Sequence, residues 1–460
     1  MASETIVTRW RQSSAAVVLA AVLTAAFSLL ALELAYRRYA IDGVYFHPWT
    51  SDHMMQVVSV VDLRDEPLKS LWYLHIQPPL FEALRTVSAQ IHSRSPYPEI
   101  LRRVDRDLLA IWGTCHAILV GMICAWLIRL TRPIYALACA VLLGVLNPAF
   151  VFYATYLDST ILSALLMTWF CFELWKARDA RGSTARLIMA VILLFLTRSI
   201  YQLPFLLVVV TALALRGWAR RRFLIFAGVA GVLMGAFLYK QYRLFGVVGT
   251  STFAGYNGCR SIDAPCDWNL RDRARRIPPL PDPGRALALR RVRKPNGEYN
   301  FNQIAYLRIS FAQMDQYLRN LRRKPIRGTI AAYIRNLRLY LEPSSQYARF
   351  VETEHALVKR LPWRAPYEWL FSGIPLSLLV IGAGLYWIIT ANGARERLRY
   401  FGLALPIFYV LLVSIVFEGG ENMRFKFFIE PVLIVLLAST AHDLARRFTS
   451  RGRLIPRQQT

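Results

Sequence analysis

Apolar runs long enough to cross a bilayer recur along this chain, and they restrict its fold more than any motif does. The hydrocarbon core holds no water to satisfy backbone N–H and C=O groups, so a spanning segment must be a helix or part of a closed barrel. A helix needs about 20 mostly apolar residues for the crossing. Ten segments are candidate spans: 15–35, 108–128, 134–153, 157–175, 187–200, 202–216, 223–239, 367–390, 400–417 and 427–445. The fifth and sixth are short and interrupted. Hydrophobic residues make up 55% of the chain, as such a protein requires. The expected fold class is all-α: a polytopic membrane protein of about ten transmembrane helices, with interfacial helices and a large extracytoplasmic loop. The first run is too long for a secretion signal and no small-residue cleavage pattern follows it, so it is expected to stay as an anchor.

Basic residues set the orientation. With the N-terminus in the cytoplasm, one side of the membrane receives Arg9 and Arg11, Arg129 and Arg132, Lys176 to Arg186, Arg216 with Arg220 to Arg222, Arg395 to Arg399, and Arg446 to Arg457. The short connections on the other side carry little more than Arg198, Arg424 and Lys426. Positive charge accumulates on the cytoplasmic side of membrane proteins. Two long loops, 36–107 and 240–366, then face outward, and long loops translocate largely regardless of charge. The expected organisation is a membrane module over 1–239 that includes the first outer loop, the large outer loop over 240–366, and C-terminal membrane helices with a basic tail over 367–460.

The net charge of +27 does not signal nucleic acid. Much of the excess is the cytoplasmic asymmetry, which also suits anionic headgroups. The rest clusters at Arg271 to Lys294 among prolines, with no nucleic-acid motif beside it. That cluster is either a solvated loop or a phosphate-recruiting surface. Cys115, Cys124, Cys139 and Cys171 fall inside spans and read as small packing residues. Cys259 and Cys266 lie in the second outer loop, where oxidising conditions favour a disulfide between them. Gly228, Gly231 and Gly235 in the seventh span read as a close-packing face.

The first outer loop carries the polar residues of most interest. Met54, Val57, Val58 and Val61 recur at helical spacing, as do Leu80, Leu84, Val87 and Ile91. Each stripe predicts a short amphipathic helix lying in the membrane interface. Pro78-Pro79 suits the start of the second one. Asp52 sits at the start of the first, where it is either a helix cap or a base. Asp158 opens the fourth span beside Tyr153 and Tyr156 and reads mainly as a cap.

An acidic residue after the first span, an interfacial helix, then His75-Ile76-Gln77-Pro78-Pro79-Leu80 opening a second one resembles bacterial glycosyltransferases of the C superfamily. These are polyprenyl-phosphate-dependent, and the likeness is to the family 39 group related to protein O-mannosyltransferases. Ser251 to Asn257 is similar to the segment that opens the large outer loop in bacterial members. Glu421-Asn422-Met423-Arg424-Phe425 and Glu430-Pro431 are similar to an acidic-x-x-Arg motif before the last span. Many members have Asp-Glu where this chain has Asp52-His53. The resemblance implies transfer of a sugar from a polyprenyl-phosphate-linked donor to an extracytoplasmic acceptor, with Asp52 as general base and inversion at the sugar. It implies a bacterial cytoplasmic membrane with the site facing outward. It fixes no cofactor and leaves a divalent cation open, and it leaves the acceptor open.

Such chemistry needs a base for the acceptor hydroxyl and fixed positive charge for the departing phosphate. Asp52 is the expected base. His53 or His75 is expected to orient the acceptor or touch the phosphate. Arg198, beside Tyr201 and Gln202, interrupts an apolar run; it either faces a cavity or partner or marks the turn between two short spans. Arg424 is either ion-paired with Glu421 or a phosphate clamp, since a guanidinium binds phosphate through two parallel bonds. The alternative function is a transporter or flippase for a lipid-linked glycan precursor. It would use the same arginines without a base, although no internal repeat is evident.

Overall fold

The computed structural model describes residues 14–40, 44–46, 49–176, 183–265, 292–349, 361–391 and 393–451. Among them regular structure is helical, with one isolated bridge between Arg293 and Tyr299. Helix α1 is Ser14–Tyr39, followed through the first loop by a 3-10 turn at Ser51–His53, α2 (Val60–Asp65), α3 (Pro67–Trp72) and α4 (Leu80–Ile91). Next come α5 (Glu99–Leu130), α6 (Pro133–Ala140), a π turn at Val141–Val145, α7 (Pro148–Thr155), α8 (Thr160–Lys176), α9 (Thr184–Thr197), α10 (Leu203–Leu215) and α11 (Arg220–Phe245). The second loop holds α12 (Ala254–Ser261), α13 (Ile304–Arg323) and α14 (Ile326–Leu341). The chain then forms α15 (Arg364–Leu370), α16 (Gly373–Thr390), α17 (Ala394–Phe417), α18 (Asn422–Phe427) and α19 (Glu430–Arg451).

Four of these helices, α1, α5, α11 and α17, are long and apolar enough to cross a membrane. Two bent pairs, α6 with α7 at 54° and α15 with α16 at 51°, raise the number to six if each pair is one span. The other four expected segments are helices too, but α9 and α10 have only 14 and 13 residues and α8 has 17. Helix α11 runs beyond residue 239 to Phe245, where Gly246 in the left-handed region (φ 71°) ends it. Glycine adopts that conformation without the steric cost of a Cβ.

Arg216 gathers one set of helix ends. Its guanidinium donates to the Arg399 carbonyl and to the Trp175 carbonyl, each at 2.9 Å, joining the end of α10 to the start of α17 and the end of α8. The opposite ends of α8 and α9 meet at the site described below. On α11, a Cβ at Gly228, Gly231 or Gly235 would find nothing within 4 Å. These glycines therefore do not mediate the close helix packing that their spacing predicts. Close approach occurs instead at Gly121 of α5, where a Cβ would lie 2.9 Å from the Ala21 carbonyl oxygen of α1, at Gly402 of α17, where it would lie 3.0 Å from the Ala212 carbonyl oxygen of α10, and in the second loop. A Cβ at Gly255 would lie 2.4 Å from the Met314 nitrogen, and one at Gly258 would lie 2.7 Å from the Tyr317 ring, so α12 is pressed against α13.

The first loop differs from its sequence pattern. Met54, Val57 and Val58 do not share a helix with Val61: only a 3-10 turn precedes α2. The intervening N–H groups are taken by side chains rather than by helix carbonyls, Val58 by Glu82 at 3.1 Å and Val60 by Asp52 at 3.2 Å. Helix α4 forms as expected, with Val87 and Ile91 62% and 70% exposed while Phe81, Glu82, Arg85 and Ala89 are buried. Cys259 is disulfide-bonded, and Cys115, Cys124, Cys139 and Cys171 are free. Cys266, and the basic cluster from Arg271 through residue 291, lie outside the described residues.

Substituting Gly255→Ala is expected to lower the thermal unfolding midpoint, because overpacking costs about 1–3 kcal/mol. Gly231→Ala is expected to leave the midpoint unchanged or to raise it. Unfolding of the purified protein followed by circular dichroism checks both.

Candidate functional site

The polar residues singled out from the sequence fall into three clusters. The first is built around Asp158. This residue lies just before α8 and caps it, its Oδ1 accepting from the Thr160 N–H at 2.8 Å and its Oδ2 from the Thr160 hydroxyl at 2.7 Å. The same Oδ2 accepts from Arg198 Nη2 at 2.7 Å and from Arg424 Nη1 at 3.3 Å. Arg198 is the residue at which α9 ends, in extended conformation, so it both marks the break between α9 and α10 and finds an acidic partner. Arg424, on α18, also pairs with Glu421 at 2.5 Å and donates to the Tyr347 hydroxyl at 3.1 Å.

Both arginines keep unused donors. The Nε–H groups of Arg198 and Arg424 are buried and have no hydrogen-bond partner among the described residues, and neither does the hydroxyl of fully buried Tyr201. Leaving a buried donor unmet costs about 1–3 kcal/mol. The aromatic rings of Tyr153, Tyr156 and Tyr347 stand together beside the arginines, with Arg424 5.0 Å above the Tyr347 ring. Burial works against the charge on Arg424, but Glu421, Tyr347 and Asp158 around it raise its pKa well above the ordinary value. Arg260 of α12 approaches Glu418 and Glu421 at 3.9 and 3.8 Å. Burial, reinforced by the negative charge of Glu421, pushes Glu418 from the ordinary 4.5 up to about 7.

The second cluster holds Asp52, whose side chain is fully buried. Its Oδ1 is ion-paired with Arg85 Nη2, and both carboxylate oxygens share the Val60 N–H, at 3.2 and 3.3 Å. Oδ2 therefore retains acceptor capacity, because an ionised carboxylate oxygen accepts about two bonds. Arg85 is also fully buried and holds Glu82 at 2.9 Å and the Val58 carbonyl at 2.7 Å. Burial raises the pKa of Glu82 despite the neighbouring Arg85. Lys294 reaches in from the second loop and donates to the Asp52 and Met54 carbonyls at 2.8 and 2.7 Å. Burial lowers its pKa to about 8. Asp105 of α5 closes the cluster by accepting from the Ser51 hydroxyl at 2.5 Å and from Tyr45 at 3.0 Å. His53 sits at the edge, half-buried, with Nδ1 2.9 Å from the Thr50 hydroxyl and its ring against Trp49.

His75 belongs to a third cluster, a clasp between the first and second loops. Its Nδ1 is 3.0 Å from the Thr252 hydroxyl, its Nε2 is 3.0 Å from the Asn302 carbonyl, and its N–H donates to Asn302 Oδ1 at 3.0 Å. The Ser251 hydroxyl donates to the Ile76 carbonyl at 2.6 Å, and Gln241 donates to the Leu74 carbonyl at 3.0 Å. His75 thus has both ring nitrogens within hydrogen-bond distance of residues of the second loop.

The arrangement brings together Arg198, Glu421 and Arg424, adds Asp158 to them, and places Asp52 with His53 nearby in a separate set. Among the described residues the two sets share no hydrogen-bonding partner. Arg85, Glu82, Lys294, Asp105, Arg260 and Tyr347 were not among the expected site residues. The one available signal was the Glu82–Arg85 spacing, which places two opposite charges on one helix face. Among the described residues no group of three or more His, Cys, Asp or Glu is placed to hold a metal ion. In comparisons with known proteins, no family model matches this chain, and no curated protein and no solved structure does.

Glu418 gives the folded state a pH dependence. Between about pH 4.5 and 7 the folded chain holds a proton that the unfolded chain has released, so stability falls as pH rises through that window. The variant Glu418→Gln is expected to flatten the fall. Unfolding midpoints measured at pH 5 and pH 7.5 check this, and an equal slope in both proteins would contradict it.

Proposed function

We propose that this chain is a membrane glycosyltransferase that takes a sugar from a polyprenyl-phosphate carrier and passes it to an acceptor on the outer side of a bacterial cytoplasmic membrane. In this reading ten segments cross the bilayer with the N-terminus inside, α8, α9, α10 and α19 supplying the crossings beyond the four to six that length and composition give. Helix α9, with 14 residues, extends about 21 Å, less than the roughly 30 Å of a hydrocarbon core. Its partner α10 continues inward from the same break, so the pair would end at Arg198 within the outer half of the membrane, close to a lipid phosphate.

The observation that carries the proposal is the convergence of Arg198 and Arg424 on one carboxylate, each with an Nε–H left over. Two guanidinium groups with unmet donors suit the oxygens of a phosphate, and the aromatic wall of Tyr153, Tyr156 and Tyr347 suits a sugar face. In the reaction the acceptor oxygen attacks the anomeric carbon and forms the new glycosidic bond. Its proton passes to Asp52 Oδ2, and the bond from the anomeric carbon to the phosphate oxygen breaks with inversion. The electron pair leaves with polyprenyl phosphate, whose added charge the arginines take up. Arg85 orients Asp52, His53 at the edge of that cluster orients the acceptor, and Glu421 holds Arg424 in place.

The complete burial of Asp52 favours a second reading, a transporter or flippase of a lipid-linked glycan precursor that uses the arginines and needs no base. The variant Asp52→Asn separates the two. General-base removal costs about 10²–10⁴ in rate, so sugar transfer per folded protein is expected to fall by that factor, while the loss of the buried pair with Arg85 lowers the unfolding midpoint as well. Unchanged transfer, or loss of transfer only in step with unfolding, would remove the base. Arg424→Gln is expected to raise the KM for the donor, and an unchanged KM would count against the clamp.

A further inference from the structure

The turn between α13 and α14 carries an unusual pairing of charge and exposed apolar surface. From residue 304 to residue 341 the sequence has eight lysines and arginines against one acidic residue, Asp315. Arg319, Arg322 and Arg323 at the end of α13 and Arg327 at the start of α14 are all exposed, and none of them forms an ion pair among the described residues. Lys324 turns inward to the Ile262 carbonyl, so it does not belong to this group. Directly beside the arginines, Ile326, Ile330 and Ile334 are 76%, 51% and 47% exposed. Their four-residue spacing lays them along one side of α14, and Leu318 on α13 extends the surface.

The opposite side of α14 fixes its level. Asn336 donates to the Ile415 carbonyl at 2.9 Å, and the Leu341 carbonyl accepts from Lys426 at 3.3 Å. Ile415 lies in the last turn of α17, the membrane-length helix that ends at Phe417. Helix α14 is thus pinned beside the end of a candidate span, with its isoleucines turned away from the protein. An apolar stripe bordered by arginines at that level matches the boundary between acyl chains and headgroups.

We infer that the corner between α13 and α14 is a docking surface for anionic lipid, with Ile326, Ile330 and Ile334 in the acyl boundary and Arg319, Arg322, Arg323 and Arg327 on the headgroup phosphates. The inference rests on the membrane reading and is independent of sugar transfer. It anchors the large loop to the bilayer beside the cluster of Arg198 and Arg424. A lysine or arginine close to an anionic surface contributes on the order of a fivefold gain in binding, so four of them impose a strong headgroup preference.

The test uses the full chain, solubilised and offered equal amounts of phosphatidylglycerol and phosphatidylcholine, with retained lipids counted by native mass spectrometry. The wild type is expected to retain phosphatidylglycerol preferentially, by about fivefold or more. Replacing the four arginines together (R319Q, R322Q, R323Q, R327Q) is expected to remove most of that preference. Equal retention of the two lipids by the wild type, or an undiminished preference in the variant, overturns the inference. If the fourfold variant fails to fold, the paired variants R319Q/R323Q and R322Q/R327Q decide: each is expected to lower the preference, and an undiminished preference in both overturns the inference. A chain that binds lipid at this corner but transfers no sugar contradicts only the transferase reading.

Discussion

Two guanidinium groups sharing the Asp158 carboxylate tie α8, α9 and α18 together. One comes from the end of α9, the other from α18, and the carboxylate itself caps α8. Arg198 is largely buried at the end of α9, and a buried charge is costly unless paired, so the pairing with Asp158 goes with the place where α9 stops. Arg216 plays the corresponding part at the other ends of α8 and α10, through backbone carbonyls rather than an acid. The difference matters for function. Arg198 and Arg424 face two acids, Asp158 and Glu421, so their charges are balanced, and what they offer a further anion is the unmet Nε–H of each.

The two long loops depend on this frame and on each other. His75 and Lys294 tie the first loop to the second, one through both ring nitrogens and the other through two carbonyls. Asp52 lies beneath this clasp with Arg85. Breaking one partner out of a buried ion pair costs about 3–5 kcal/mol, so any movement that brings an acceptor hydroxyl to Asp52 must keep the Arg85 contact and shift the Lys294 side of the cluster instead. Lys294 is suited to that role, because its bonds are to backbone carbonyls and burial already lowers its pKa to about 8.

Much of the fold was legible because membrane helices follow length and apolarity, and each of the ten apolar segments is helical. What was not legible follows from the same environment. On α4 the stripe divides, with Leu80 and Leu84 packed against the core but Val87 and Ile91 exposed, and Glu82 and Arg85 are buried where a stripe read from spacing alone would leave them in water. The glycines of α11 have helix-packing spacing but no neighbour, while Gly255 and Gly258, whose packing the sequence did not announce, are held against α13. At the site, Arg198, Arg424 and Glu421 stood out as charges near apolar runs. Asp158 was readable only as a cap, because capping is local and the two arginines come from 40 and 266 residues away. The partners of His75 were not legible for the same reason: Thr252 and Asn302 lie 177 and 227 residues away.

The most direct test of the central claim is to reconstitute the purified protein in liposomes with a polyprenyl-phosphate-linked sugar and an extract of cell-envelope acceptors, and to measure free polyprenyl phosphate over time. The account predicts that free carrier accumulates with the wild type and is lost with Arg198→Gln and Arg424→Gln, while the labelled sugar appears on the acceptor. Intact donor that only changes leaflet, with no free carrier formed, would contradict it.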